Sequence, residues 1–263
     1  MRADVYLAAF GHARSRKKAQ DLIDAGAVTI DGVPVKKSSA LINEEVPHEV
    51  TIEQVFKYVS RGGMKLEAAL DAFRINVNRK KAVDVGASTG GFTDCLLQRG
   101  AACVYSVDSG IGQLHESLLA DKRVHSIEKF NARELSPEIT DGLCDVAVAD
   151  VSFISQTYLI DKIAEVLCDG GEFISLIKPQ FEAGRAALGK GGVVHSAAYR
   201  FLAVKRVLHA AEELGLFCTG LIRSPIKGGD GNVEYLAAFE LRASAILTSP
   251  LTDAQLRRMT AYD

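Results

Sequence analysis

The chain has 263 residues, of which 48% are hydrophobic and 24% charged, and its formal net charge is −2. That length suits one large domain or a mid-sized domain with a small companion, and the apolar fraction is enough for a sizeable core. The near-neutral balance excludes a chain-wide positive field for nucleic acid, so any such surface must be local.

The five cysteines, Cys95, Cys103, Cys144, Cys168 and Cys218, are odd in number, widely spaced and contain no CxxC pair. They read as reduced, largely buried thiols, which predicts a cytoplasmic protein without disulfides or a zinc site. The opening MRADVYLAAFGHARSRKK holds an apolar stretch too short and too interrupted for a signal peptide. No apolar run approaches membrane-spanning length.

In chain order, residues 1–60 read as a small α+β module. A short apolar helix runs from Val5 to Phe10. A second helix, SRKKAQDLIDAG, is capped by Ser15 and stopped by Gly26. In AVTIDGVPVKK, Val28 and Ile30 alternate on one arm and Val33 and Val35 on the other, with Asp31-Gly32 between them, a strong hairpin signal. HEVTIE at 48–53 is a further expected strand and 54–60 a linker. Arg14, Arg16, Lys17 and Lys18 cluster at the start of the second helix, and Lys36 and Lys37 follow the hairpin. Residues 1–60 carry as many acidic as basic side chains, so the module is polarised rather than basic. Such a patch is either a solvated helix face or a phosphate-contact surface, which positions RNA without reading its sequence.

SRGGMKLEAAL at 60–70 begins another helix, with Lys65 in its first turn and Arg61, a further candidate RNA contact, beside its start. A helix start carries partial positive charge, which disfavours a lysine there. Beyond it, apolar strand-like runs at 81–86, 102–108, 123–127, 144–150 and 171–178 alternate with helical stretches at 90–99, 111–120 and 155–168. That alternation predicts a parallel α/β sheet. A long helix at 196–214 precedes strands at 216–223 and 233–240. Their short connection, SPIKGGDGN, leaves no room for a crossover helix and predicts antiparallel pairing. From about 243 to 263 the chain offers little pattern.

The strand at 81–86 runs into DVGASTGGFTDCLL. A glycine-rich turn between a buried strand and a helix lets a ligand approach backbone N–H groups closely. The dinucleotide fingerprint GxGxxG lacks its middle glycine here. The spacing D-x-G-x-x-x-G-G is instead similar to the first motif of S-adenosylmethionine-dependent methyltransferases, whose loop wraps the methionine end of the cofactor. Asp108, closing VYSVD, is placed to accept hydrogen bonds from both ribose hydroxyls. Asn131 follows the third strand, where such proteins contact the adenine. The candidate cofactor set is Asp84, Gly86, Ser88, Thr89, Gly90, Gly91, Phe92, Asp108, Asn131 and Asp150. The competing reading is a loop that only turns the chain and caps helices.

Ligands of open α/β sheets bind outside the carboxyl ends of the strands. Asp150 closes one apolar strand, within VAVADVSF, and Lys178 closes another, within ISLIKPQF. Glu234, in NVEYLAAF, opens a strand running the opposite way, and the Lys65 helix packs back along the sheet from its far end. All four charges are therefore expected on one rim. Singly, each has an ordinary surface role. The glycine-rich segment EAGRAALGKGGVVHS (182–196) follows directly, offering Arg185 and Lys190 either to RNA phosphates or as a connector.

The order Lys65, Asp150, Lys178, Glu234, carried by SRGGMKLEAAL, DVGASTGGF, ADVSFIS, IKPQFE and GNVEYL, resembles the TlyA family over about residues 1–242. Members join an S4 domain, an RNA-binding fold, to an FtsJ-like ribose methyltransferase domain. The resemblance implies a Rossmann-like class I methyltransferase with a mostly parallel seven-stranded sheet, its last strand antiparallel. It implies an S4-like domain at 1–60, a catalytic domain at 61–242 and a tail at 243–263. It further implies S-adenosyl-L-methionine as cofactor, ribosomal RNA or ribosomal subunits as partner, and cytidine 2′-O-methylation aided by a Lys65-Asp150-Lys178-Glu234 tetrad.

A ribose 2′-hydroxyl is a poor nucleophile, so such an enzyme must align it with an activated methyl and take up one proton. A lysine is a general base only when its pKa falls towards neutrality; desolvation and a second cation favour this, and carboxylates oppose it. Lys178 is assigned as base, Lys65 as the second cation, and Asp150 and Glu234 as groups that orient the lysines. Two rivals are a pore-forming haemolysin, a label members have carried, and an RNA-binding protein that does not catalyse. The absence of a spanning segment opposes the first. The intact tetrad and loop oppose the second.

Overall fold

The structure, a computed structural model, describes residues 1–24, 26–52, 57–242 and 251–261. The chain divides into two compact units, Met1–Lys57 and Tyr58–Asp263.

In the first unit, α1 (Ala3–Ala9) and α2 (Arg16–Asp24) accompany a three-stranded antiparallel sheet of β1 (Val28–Ile30), β2 (Val33–Pro34) and β3 (Val50–Ile52), in the order β2-β1-β3. Tyr6 and Leu7 of α1, Leu22 and Ile23 of α2, and Val28 and Ile30 of β1 form one core. The hairpin turn is Asp31-Gly32, both residues at positive φ (51° and 75°), as a primed turn requires. The strand expected over 48–53 is confined to Val50–Ile52; residues 53–56, where it was to end and the linker to begin, lie outside the described residues.

The second unit follows the chain through α3 (Gly62–Phe73), β4 (Lys81–Val85), α4 (Gly91–Gln98), β5 (Cys103–Val107), α5 (Glu116–Leu119), β6 (Val124–Ile127), β7 (Cys144–Ala149), α6 (Ile160–Glu165), β8 (Leu167–Ile177), α7 (Pro179–Glu182), α8 (Ala197–Glu212), β9 (Leu216–Arg223), β10 (Tyr235–Leu241) and α9 (Asp253–Thr260). Seven strands form one sheet in the order β6-β5-β4-β7-β8-β10-β9. Pairing is parallel from β6 to β8, and β10 runs antiparallel to both β8 and β9. The central strands are buried on both faces, their alternating side chains entering two cores. Val83 and Val85 join a core with Ile163 of α6 and Phe201 of α8, while Ala82 joins another with Leu66 of α3 and Leu96 of α4.

Three elements differ from expectation. The helix expected over 111–120 is confined to Glu116–Leu119, since Gly110 and Gly112 leave the preceding residues in turns and His115 caps the start. The helix expected over 155–168 opens as a tight 3-10 turn, Gln156–Tyr158, and is α-helical only over Ile160–Glu165. Its last two expected residues belong to β8, which starts at Leu167 rather than 171 because Leu167 pairs with Cys144. The register shifts before Val146 pairs with Glu172, so Asp169-Gly170-Gly171 is an irregularity within a strand where the sequence reads as a turn.

Within the tail, α9 is a helix fixed by a capping box between Thr252 and Gln255. Its Leu256 joins the core beneath α8, and buried Arg200 of α8 donates to the carbonyl oxygen of Thr260. Residues 243–250 and 262–263 of the same stretch lie outside the described residues. All five cysteines are free thiols. Among the described residues, no helix is long and apolar enough to cross a membrane.

Candidate active site

The parallel strands deliver their carboxyl ends to one rim, where a cleft of about 630 Å³ is lined by Gly86, Ser88, Asp108, Asn131, Asp150 and Phe153 among others. The turn after β4 lies against the Asp150 backbone. Gly86 has φ +85°, and a Cβ there would lie 2.8 Å from the Asp150 carbonyl oxygen, so both conformation and space demand glycine. The Asp108 carboxylate accepts from the Ser88 N–H (2.8 Å) and the Gly110 N–H (2.7 Å). These bonds brace the turn and leave lone pairs for further donors on a half-buried side chain. Asn131 accepts from the Arg133 N–H at the start of a 3-10 turn.

Other members of the candidate cofactor set do not line the cleft. Asp84 is fully buried and accepts from Thr93 Oγ1 at 2.7 Å. Burial pushes its carboxyl up to about 7; the Thr93 hydrogen bond opposes this, and the charges of Asp150 and Asp108 add to it. Phe92 belongs to the core. Gly90 packs against Leu118 and Leu114, and Gly91 against Ser60 and Gly63. Thr89 is exposed, and its carbonyl accepts from the His115 N–H.

The four charges meet as two ion pairs. Lys65, the fourth residue of α3, reaches Glu234 Oε2 at 2.5 Å, and both side chains are nearly buried. Lys178 Nζ lies 2.6 Å from Asp150 Oδ1 and donates to Ser152 Oγ at 2.8 Å. The β8–β10 register explains the convergence: Tyr235 pairs with Ile177, so the residues just beyond, Glu234 and Lys178, share one edge. A second pocket, of about 300 Å³, is lined by Lys178, Glu234, Gln180 and Asp230, and shares Ser152 and Phe153 with the larger cleft. Lys178 therefore faces the smaller pocket while its partner Asp150 lines the larger one.

Sequence reasoning passed over Ser152, Phe153 and Gln180. Phe153 is 93% exposed and sits at φ +65°, an unfavourable backbone conformation for a bulky residue. Its ring centroid is 5.3 Å from that of Phe181. The motif VSFIS contains the residue, but no pattern in it marks a phenylalanine that stays outside the core.

In the first unit, Arg14, Arg16, Lys17, Lys36 and Lys37 are exposed and Lys18 is half-buried. Arg16, together with Arg2 and Gln20, donates to Asp4, a fully buried carboxylate. The Arg2 hydrogen bond above all holds the Asp4 carboxyl well below the usual range. Arg2 was not singled out from the sequence, because a residue beside the chain start belongs to no charge cluster. In the second unit Arg61 is half-buried, while Arg185 and Lys190 are exposed on two 3-10 turns whose Leu188 and Gly192 line the smaller pocket.

Residues 58–241 match the FtsJ-like methyltransferase family and residues 1–46 the S4 domain. Over 260 residues the chain is 42% identical to the 16S/23S rRNA (cytidine-2′-O)-methyltransferase TlyA of Mycobacterium tuberculosis, covering 98% of this chain and 97% of that one. The chain belongs to the TlyA family. It is also 43% identical to Hemolysin A of Brachyspira hyodysenteriae, over 91% of this chain and 99% of that one. A solved structure from Streptococcus thermophilus, described as a hemolysin, aligns at 38% identity with a TM-score of 0.78, covering 99% of this chain and 94% of that one. Both kinds of name thus occur among relatives of this TlyA-family chain, whose larger unit is an FtsJ-like methyltransferase domain.

Proposed function

We propose that this chain methylates the 2′-hydroxyl of a ribosomal-RNA ribose, with cytidine as the target nucleoside, S-adenosyl-L-methionine as methyl donor and Lys178 as proton acceptor. The observation that carries this reading is the pair of lysine–carboxylate contacts standing where the larger cleft meets the smaller pocket. Residues 1–60 then serve as the RNA-binding domain and 61–242 as the catalytic domain of a cytoplasmic protein acting on rRNA or a ribosomal subunit.

The cleft fits the cofactor. Asp108 would offer acceptor lone pairs to two ribose hydroxyls, Gly86 permits close approach to the backbone, and Asn131 would stand at the adenine end. When bound, the cofactor supplies a methyl group already activated on a sulfonium. What is left for the protein is alignment and one proton. In its amine form Lys178 takes the proton from the 2′-hydroxyl; Asp150 and Ser152 hold Nζ in place for that step. Lys65, ion-paired with the pocket-lining Glu234, is the second cation. Phe153 presents an exposed ring against which the target base stacks. Arg185 and Lys190, with the basic residues of the first unit, contact phosphates.

The test is Lys178→Ala. Methylation of rRNA should fall by about 10²-fold or more, as for loss of a general base. Calorimetric affinity for S-adenosylmethionine should stay within about threefold, because the side chain does not line the cofactor cleft. Methylation at the wild-type rate would remove Lys178 from the mechanism.

A further inference from the structure

Glu182 is a buried carboxylate that the reaction does not use. It lies at the end of α7, is 2% exposed, and burial pushes its carboxyl up from the usual range. It accepts from Ser155 Oγ at 2.5 Å and from the Gln156 N–H at 2.8 Å. Gln156 continues the network, since its side chain donates to the Leu176 carbonyl oxygen at 2.6 Å and accepts from Ser175 Oγ at 2.5 Å. On the other side, Arg206 of α8 donates to the Glu182 carbonyl oxygen at 3.3 Å.

These bonds join two stretches of chain. One leaves β7 and carries Asp150, Ser152 and Phe153 before Ser155 and Gln156. The other is the end of β8 with α7, and carries Ser175, Leu176 and Lys178 before Glu182. The contacts of Lys178 with Asp150 and Ser152 join the same two stretches at the solvent side. The Glu182 network joins them again from inside. A buried acid is an expensive way to fill such a space, because its desolvation must be met by hydrogen bonds. An acceptor that can bind both Ser155 and Gln156 at once does what an apolar residue cannot: it fixes the distance between the two stretches.

We propose that Glu182 is a positioning residue for methyl transfer, holding the Asp150–Ser155 stretch against Lys178 so that Nζ meets Asp150 and Ser152 before substrate arrives. This rests on the reading of Lys178 as proton acceptor. Positioning acts through hydrogen bonds rather than charge. An amide at the same place still accepts from the Gln156 N–H and can donate to Ser155 Oγ, whose own hydrogen is then free for Thr157 Oγ1, 2.7 Å away.

The experiment compares Glu182→Gln and Glu182→Leu with the wild-type full-length protein. It measures thermal unfolding, S-adenosylmethionine affinity by calorimetry, and kcat and KM for rRNA methylation. Glu182→Gln should keep kcat within about threefold. Glu182→Leu leaves Ser155 and the Gln156 N–H without their acceptor, so it should unfold a few degrees earlier than wild type yet stay folded at the assay temperature, bind cofactor within about threefold, and lose about 10- to 100-fold in kcat with KM nearly unchanged, the scale expected when a reacting group is misplaced by about an ångström. The proposal is overturned by wild-type kcat in Glu182→Leu, by equal losses in both variants, or by a loss that merely follows unfolding or cofactor release. Lys178→Ala separates the two layers. An active Lys178→Ala defeats the mechanism itself, whereas an inactive Lys178→Ala beside an active Glu182→Leu defeats only the positioning role.

Discussion

Asp84, the fourth residue of β4, is a fully buried acid, answered by the Thr93 hydroxyl and lying within reach of two other carboxylates' fields. Its folded pKa of about 7 stands above the ordinary carboxylate value of 3.8, so the folded state holds the proton more tightly than the unfolded chain. The unfolded chain gives up that proton first as pH rises. The Asp84 contribution to stability should therefore be fully present below about pH 4, fall between about 4 and 7, and level off above. Glu182 is shifted in the same sense, also by burial. Urea denaturation at a series of pH values should show this decline, and Asp84→Asn should flatten it. An unchanged slope in Asp84→Asn would place the pH dependence elsewhere. The same scale explains Lys65. The penalty for a lysine near a helix start is offset by the carboxylate of Glu234, just before β10 and 169 residues away in sequence.

Among the elements, α9 has both a local and a tertiary cause. Thr252 and Gln255 satisfy each other's backbone groups, and Leu256 then reaches the core that α8 also fills. The pattern T-D-A-Q was available in the sequence as a capping box, but the single buried leucine behind it made no periodic stripe. Thr252→Ala should cost about 1 kcal/mol of stability, measured by urea denaturation followed by far-ultraviolet circular dichroism. No measurable cost would mean that packing through Leu256 alone holds the helix. β8 is the opposite case. Its central strand character was legible from the apolar run ending in Lys178, while its first residues hid behind Asp169-Gly170-Gly171, which only pairing with β7 forces into a strand.

At the scale of the whole molecule, the net charge of −2 conceals an uneven distribution, with exposed cations gathered on α2 and after the hairpin. If these contact phosphates, RNA affinity should fall with salt, and Arg16→Ala and Lys17→Ala should each lower the slope of log K against log salt by about 1. Filter binding to rRNA across a salt series reads this directly. A slope that neither substitution changes would assign the patch to solvent.

By itself the sequence determined the class of the fold and the identity of the four charges. Alternating strands and helices, a glycine-rich turn after the first of them, and charged residues closing apolar runs are local signals, and strand direction follows from connection length. Strand ends also told which residues share a rim. Only the tertiary structure decided how the charges pair, Lys65 with Glu234 and Lys178 with Asp150, because that depends on the register between β8 and β10 and on the reach of α3. It also decided which glycines and acids of the loop face the cleft and which, like Asp84 and Gly91, do not. Register, burial and side-chain partnership are properties of contacts between distant segments, and no window of sequence contains both halves of such a contact.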